Sequence, residues 1–122
     1  MDKPAYDIEN DVLYPTATHI DVKALAAAQT PWWNRALTAV NDTVVRLSVL
    51  DGDFHWHKHE DEDEFFFVVD GALSMDLEDR TVELTQRQGF CVPKGVRHRP
   101  RAAERTVILM VEGAGIVPTG DA

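Results

Sequence analysis

The stretch Asp51-Gly52-Asp53-Phe54-His55-Trp56-His57-Lys58-His59 contains two histidines separated by a single residue. Side chains on a β-strand alternate between its two faces, so His57 and His59 should point the same way, about 6 to 7 Å apart along the strand. This spacing suits two imidazoles that bind one metal ion. The stretch therefore predicts a strand with a metal-binding face.

Two more side chains with metal-binding atoms follow this strand. The acidic run Glu60-Asp61-Glu62-Asp63 leads to Glu64 and to the apolar segment Phe65–Val69, which predicts a second strand. If this strand folds back on the first as a hairpin, Glu64 lies opposite the two histidines. His98 is distant in sequence and has to arrive by tertiary folding. Charge runs in turns are usually solvated, so the acidic run itself is not expected to supply ligands.

Three imidazoles and one carboxylate leave positions open on an octahedral ion, whereas a structural zinc site is closed. A substrate or water could bind at the open positions. The donor set suits Fe, Mn, Ni, Co, Zn or Cu, and relative affinity alone does not choose among them. The expected cofactor is therefore one divalent transition metal ion whose identity the sequence does not give.

The rest of the chain predicts mostly β structure. Short strands begin at Thr43, and turn signals follow at intervals of about 8 to 12 residues, which is typical of an all-β sandwich or barrel. These signals are Asp51-Gly52, Asp70-Gly71, Glu78-Asp79-Arg80, Gln86-Arg87-Gln88-Gly89 and Lys94-Gly95. Asp21–Gln29 has an acidic N-cap and good helix formers, so it predicts one short helix. Residues 1–18 are polar with two prolines and are expected to be irregular.

The spacing of these residues resembles that of the cupins, whose first motif reads Gly-x5-His-x-His-x3-4-Glu-x6-Gly. This chain has Gly52-x4-His57-x-His59-x4-Glu64-x6-Gly71, followed by Gly89-x3-Pro93-x-Gly95-x2-His98 for the second motif, Gly-x5-Pro-x-Gly-x2-His-x3-Asn. The first glycine lies one residue nearer the histidines, two residues are missing before Pro93, and Ala102 replaces the asparagine. None of these departures changes the four ligand positions.

The resemblance covers about residues 41–120 and is strongest to the short single-domain cupins of the conserved-barrel type, some of which are labelled mannose-6-phosphate isomerase-like. It implies a small double-stranded β-helix, the jelly-roll or cupin barrel, over 41–122. Residues 1–40 would be an irregular segment with one short helix packed on the barrel. It also implies that His57, His59, Glu64 and His98 bind the metal and that the protein forms a homodimer.

Two classes of function remain open at this stage. The first is a metal-dependent enzyme that acts on a small polar metabolite, such as a sugar or a keto or carboxylic acid, by isomerase, lyase or dioxygenase chemistry. The second is a non-catalytic barrel that binds a metal and a small ligand. Open coordination alone does not establish catalysis, so the enzyme is favoured only weakly.

Four residues near the predicted site allow more than one interpretation. His55 shares the strand parity of His57, so it should face the interior, either as a hydrogen-bonded histidine or as a catalytic acid or base. Phe54 and Trp56 should lie on the opposite face, where packing is expected rather than contact with a substrate. Arg46 could reach solvent or project into the barrel as an anion clamp.

Composition narrows the partners and the location. The formal net charge is −9, which argues against binding to nucleic acid or to anionic membrane surfaces. No apolar run is long enough to span a bilayer, and Met1–Asp7 lacks the apolar stretch of a signal peptide. A cytoplasmic location is therefore expected, and the single cysteine, which permits no internal disulfide, fits a reducing compartment. The segments Phe65–Val69 and Val107–Val111 are apolar on both faces and need cover from two sides, which a partner subunit could supply.

Overall fold

The computed structural model describes residues 6–121, and within these it contains eight β-strands and one short helix. The elements are β1 (Asp7–Val12), α1 (Val22–Ala27), β2 (Trp33–Val40), β3 (Thr43–Asp53), β4 (Glu64–Asp70), β5 (Leu73–Leu77), β6 (Thr81–Leu84), β7 (Gly89–Val92) and β8 (His98–Gly113). The predicted all-β class, a double-stranded β-helix with a short N-terminal helix, is confirmed.

The N-terminal part is more regular than its sequence indicates. Helix α1 begins as predicted, because the Asp21 side chain accepts a 3.0 Å hydrogen bond from the Ala24 backbone N–H. Strand β1, however, pairs in parallel with β2, and both lie in the segment that was expected to be irregular apart from the helix. That expectation is wrong for these two strands, because pairing with β3 supplies the order that local propensity does not. Residues 1–5 of that segment lie outside the described residues.

The sheet order places the ends of distant strands side by side. Strands run β1-β2-β3-β8-β4-β7, and β5 pairs with both β8 and β6. The predicted hairpin between β3 and β4 is wrong, because β4 pairs with β7 and β8 instead. The acidic loop between them is tied to the β7–β8 turn, where the Asp63 carboxylate accepts a 2.9 Å bond from the Lys94 N–H.

Strand alternation divides the apolar side chains into two clusters. Leu50, Phe66, Ile108 and Met110 belong to the interior cluster, together with apolar side chains of β5, β6 and β7. The second cluster lies beneath helix α1 and joins Ala26 and Trp33 to the opposite face of β3 and β8. The N-terminal segment thus covers part of the outer face of the barrel.

The cover is incomplete on the outer face of β4 and β8. Phe65 and Val111 each remain 37% exposed, although both belong to the segments that were expected to need cover on two sides. This placement is compatible with a partner subunit on that face, and homodimerisation stays a prediction.

Most of the predicted turns lie between strands, and one lies within a strand. The break expected at Asp51-Gly52 is a shift of register inside β3, where Gly52 has a φ of +97°. The turn at Gly71 has a stricter requirement, since its φ is +98° and a Cβ there would come within 2.6 Å of the Thr106 hydroxyl oxygen. Among the described residues, no helix has the length and hydropathy needed to cross a membrane.

Candidate metal centre

Four buried side chains converge at one point of the interior. His57, His59, Glu64 and His98 each offer one ligand atom, and these atoms all lie within 4.8 Å of one another. His57 and His98 are joined by an isolated β-bridge, in which each backbone N–H donates to the carbonyl of the other. Glu64 and His98 are the first residues of β4 and β8. The fold therefore brings together all four side chains that the sequence predicted as ligands.

Backbone carbonyls fix the orientation of two imidazole rings. The Nδ1 atom of His57 lies 3.0 Å from the His55 carbonyl oxygen, and the Nδ1 atom of His98 lies 2.9 Å from that of Val96. A carbonyl can only accept, so each Nδ1 carries the proton and leaves the Nε2 lone pair free. Metal-binding histidines usually have this kind of second contact, which sets the tautomer and the ring direction.

Unpaired polar atoms concentrate at the same point. Within residues 6–121, the buried side-chain atoms that lack a hydrogen-bond partner include Nε2 of His59, Nε2 of His98 and Oε1 of Glu64. The Glu64 oxygen lies 3.4 Å from each of the two nitrogens. Each unsatisfied buried group costs about 1 to 3 kcal/mol, and a bound cation would satisfy all three at once. The donor atoms therefore fit a divalent transition metal ion.

The protonation states expected at neutral pH suit metal binding. Burial, assisted by the nearby His98, lowers the pKa of His57 to about 4, so its ring is neutral. Burial by itself would raise the pKa of Glu64, but the close contacts of its carboxylate with the His59 and His98 rings outweigh burial and hold that pKa below the usual range. The cluster thus presents a neutral imidazole at His57 and a carboxylate at Glu64.

A second buried carboxyl group, which the sequence did not indicate, lies directly beside the cluster. Glu112 on β8 is in register with Glu64 on β4 and is only 3% exposed. Burial, followed by the charge of Glu64, raises the pKa of Glu112 to about 10, so its carboxyl group keeps a proton at neutral pH. The sequence around Glu112 shows only one acidic residue at the end of an apolar strand. Nothing in it predicts a position beside Glu64, because that position is set by the pairing of β4 with β8.

Arg46 follows neither of the two predicted alternatives. Its guanidinium group is buried and donates to the Asn34 side-chain oxygen at 2.8 Å and to the Glu9 carbonyl at 2.6 Å. It also lies 3.9 Å from a carboxyl oxygen of Glu112. Its donors are engaged by the protein, so it neither reaches solvent nor extends as an anion clamp.

One pocket opens onto the metal cluster, and we call it the aromatic pocket. It is lined by Tyr6, Ile8, Trp32, Trp33, Asn34, Ser48, Leu50, Phe54, His57, Glu64, Phe66, Pro100, Ile108, Met110 and Pro118. Two of these residues, His57 and Glu64, belong to the cluster, so a molecule in the pocket would lie beside the ion.

Three predictions about residues 54–56 have different outcomes, because β3 ends at Asp53 and strict alternation ends with it. Phe54 was expected to lie on the opposite face, but it lines the pocket and its ring meets the His57 ring edge-on at 5.1 Å. Trp56 packs against the guanidinium groups of Arg97 and Arg99, as expected of a residue outside the pocket.

The interior position expected for His55 is wrong. The residue is exposed, and its Nε2 atom donates a 2.6 Å hydrogen bond to the Thr119 carbonyl oxygen. The same tail is held further along, where the Asp121 N–H donates to the Lys58 carbonyl. His55 therefore fastens the C-terminal tail over the segment that carries His57, and its role as a catalytic acid or base stays a prediction.

Comparison with known proteins agrees with this geometry. A family model described as a cupin domain matches residues 43–112. The uncharacterized protein YdbB of Bacillus subtilis (strain 168) is 44% identical over 80 residues, which are 65% of this chain and 71% of that protein. A solved structure of a cupin-2 domain containing protein from Shewanella frigidimarina NCIMB 400 is 32% identical, with a TM-score of 0.74 over 77% of this chain and 93% of that one. Protein NMB1881 from Neisseria meningitidis is 28% identical, with a TM-score of 0.70 over 79% of this chain and 99% of that one.

Proposed function

The chain belongs to the cupin domain family, and from this membership and the buried ligand cluster we propose that it is a metal-dependent enzyme acting on a small metabolite. The observation that carries the proposal is the convergence of four buried ligand atoms within 4.8 Å, with two of the ligands in the wall of a pocket. A bound divalent ion would supply Lewis-acid or redox chemistry to an oxygen of the metabolite. Isomerase, lyase and dioxygenase reactions of a sugar or of a keto or carboxylic acid all fit this arrangement.

The roles of the protein residues follow from their contacts. His57, His59, Glu64 and His98 would hold the ion, and the carbonyls that bond His57 and His98 keep those rings in place. The apolar walls would exclude water and orient the metabolite with its oxygen atoms toward the cluster. A six-coordinate ion held by these four side chains would keep positions free for the metabolite, so the site could bind substrate without losing a protein ligand.

Elemental analysis of the untagged protein tests metal binding directly. We expect about one equivalent of a transition metal in the wild type, and little in His59→Ala or Glu64→Gln. His19→Ala is a matched control, because His19 is exposed and outside the cluster. Wild-type protein that neither contains a metal nor takes one up would contradict the proposal. Oxygen consumption and isomerisation assays on the loaded protein would then test turnover.

We further propose His55 as the acid or base of the reaction. Its Nε2 is engaged with the Thr119 carbonyl, so this role needs either Nδ1 or a displaced tail. His55→Gln keeps a side chain able to donate to that carbonyl but removes the imidazole that could accept and release a proton. We expect the variant to retain metal and to lose an inflection from the pH profile of its turnover rate. An unchanged profile would assign His55 to tail fastening alone.

A binding or sensing module is the second candidate, and one observation favours it. The residues that line the aromatic pocket include three ionisable ones, and two of them are the ligands His57 and Glu64. The third is Tyr6. Burial raises the pKa of Tyr6, so its hydroxyl is a weak proton donor at neutral pH. A metal-loaded protein that binds one metabolite reversibly and turns over none of a broad panel would support this function instead.

A further inference from the structure

We propose that the aromatic pocket binds a molecule built on a single aromatic ring, with its oxygen-bearing end toward His57 and Glu64. The inference rests on the proposed function, since it names the substrate class of the same site. It replaces the broad class of small polar metabolites with a ring that carries a keto or carboxylic group. The argument comes from the walls of the pocket and from its charges.

The outer wall of the pocket is a cluster of aromatic side chains. Ring centroids of Tyr6 and Phe54 lie 4.5 Å apart, those of Tyr6 and Trp32 lie 5.0 Å apart, and those of Trp32 and Phe54 lie 5.7 Å apart. Aromatic rings at such separations attract through offset and edge-to-face contacts. The Phe54 ring continues this wall to the edge of His57. A guest ring would therefore meet aromatic surface from the mouth of the pocket to the ligand cluster.

The inner wall is apolar and buried. It is formed by buried side chains of the interior cluster, including Leu50, Phe66, Ile108 and Met110, which are each at most 5% exposed. The lining has few neutral polar side chains besides the Tyr6 hydroxyl and the indole N–H groups of the two tryptophans. They are Asn34, whose side-chain oxygen already accepts from Arg46, and Ser48. These few groups can orient one end of a ligand but match the several hydroxyls of a sugar poorly, and each unsatisfied hydroxyl would oppose binding.

The charges of the pocket disfavour a phosphorylated ligand. The lining residues include no lysine or arginine, and Glu64 contributes negative charge. Arg46 lies on the same strand as Ser48, but its guanidinium group already donates to the Asn34 side chain and the Glu9 carbonyl. A bound metal ion would pair with one oxygen-bearing end of a ligand, so a phosphate group elsewhere on the same molecule would be desolvated without a protein cation to pair with it, which is costly.

Matched ligands test the inference on protein loaded with Zn(II), which has no redox chemistry of its own. Pyruvate and phenylpyruvate share the keto-acid end and differ by the phenyl ring, and D-mannose 6-phosphate represents the phosphorylated sugars. Isothermal titration calorimetry should show phenylpyruvate binding at least about tenfold more tightly than pyruvate, because burying the ring removes apolar area from water. Equal affinity for the two keto acids, or tighter binding of the sugar phosphate, would overturn the inference.

Variants locate the preference in the pocket. We expect Trp32→Leu and Phe54→Leu to weaken phenylpyruvate binding about fivefold or more while changing pyruvate binding less than twofold. Phe65→Leu is the control, since Phe65 is 37% exposed on the outer face of β4 and should change neither affinity. Equal losses for both keto acids would place the ring elsewhere and contradict the inference.

The two proposals fail in different ways. Wild-type protein that takes up no Zn(II) contradicts the proposed function. Protein that takes up Zn(II) but does not distinguish the two keto acids contradicts only the inference about the ring. Zinc content measured for every variant shows that the ligand cluster has folded, so the comparison of the wild type with the three ligands stands even if one variant is lost.

Discussion

Replacing Glu112 with glutamine should stabilise the metal-free protein at neutral pH. The carboxyl group of Glu112 is 3% exposed and lies beside that of Glu64, and both of its oxygens lack a hydrogen-bond partner among the described residues. Glutamine has nearly the same shape and remains neutral at every pH, so it can donate a hydrogen bond toward Glu64 without a cost of protonation.

The magnitude follows from the raised pKa of Glu112, which moves from an ordinary 4.5 to about 10. Below pH 4.5 both the folded and the unfolded states carry the proton, whereas between pH 4.5 and 10 only the folded state does. The stabilising contribution of this proton is therefore complete below pH 4.5 and is lost as the pH rises toward 10. At pH 7 the loss is about 3 kcal/mol, since each pH unit above 4.5 costs about 1.4 kcal/mol.

Urea unfolding of the chelator-treated wild type and Glu112→Gln at pH 5, 7 and 9 measures this difference. We expect the free energy of unfolding of the variant to exceed that of the wild type by about 3 kcal/mol at pH 7, with a larger gap at pH 9 and a small gap at pH 5. Glu104→Gln is the matched control, because Glu104 lies exposed on the same strand. Parallel pH profiles for the wild type and Glu112→Gln would refute the reasoning, since they would mean that Glu112 is ionised and paired with Arg46.

Three further predictions concern stability and assembly. The Asp76 carboxylate accepts hydrogen bonds from Arg101 and Arg99, which hold its pKa below the usual range. Asp76→Asn should therefore lower the melting temperature at pH 7, and the difference from the wild type should shrink as the pH falls through the pKa of Asp76. A difference that does not depend on pH would contradict this explanation. Removing a bound metal with a chelator should lower the free energy of unfolding by about 2.7 kcal/mol if the free ion had been present at about 100 times its dissociation constant. Adding the ion back should restore the original stability in a thermal melt. The homodimer predicted from the sequence should dissociate in Phe65→Lys but not in Val40→Lys, because Val40 is exposed and lies outside β4. A wild-type protein that light scattering shows to be monomeric would contradict the prediction of a dimer.

The ligand set could be predicted from the sequence because it depends on short-range spacing and on two ordered motifs. His57 and His59 are separated by one residue, and Glu64 and His98 occupy the remaining positions expected of the family. The metal site does not require the hairpin that was expected to bring Glu64 to the histidines. Glu64 arrives instead from a strand that pairs with β7 and β8, so the correct ligands were predicted with an incorrect strand pairing.

At His55 and Phe54, strand alternation no longer predicts which face a side chain occupies. Strict parity placed His55 inside and Phe54 outside, but the strand ends at Asp53 and the next residues follow no regular pattern. His55 then turns outward to the Thr119 carbonyl, while Phe54 enters the wall of the pocket. The period of two holds only where a ladder of backbone hydrogen bonds enforces it.

The sequence by itself determined the all-β class, the helix start at Asp21 and the four side chains of the candidate metal centre, because these depend on local alternation, turn and capping chemistry, and motif spacing. Only the tertiary structure decided that Glu112 lies beside Glu64, that Arg46 is held by Asn34, and that the pocket is aromatic. Each of these neighbours comes from another part of the chain, so its position is set by strand pairing and by the packing of the N-terminal segment, which no local pattern encodes.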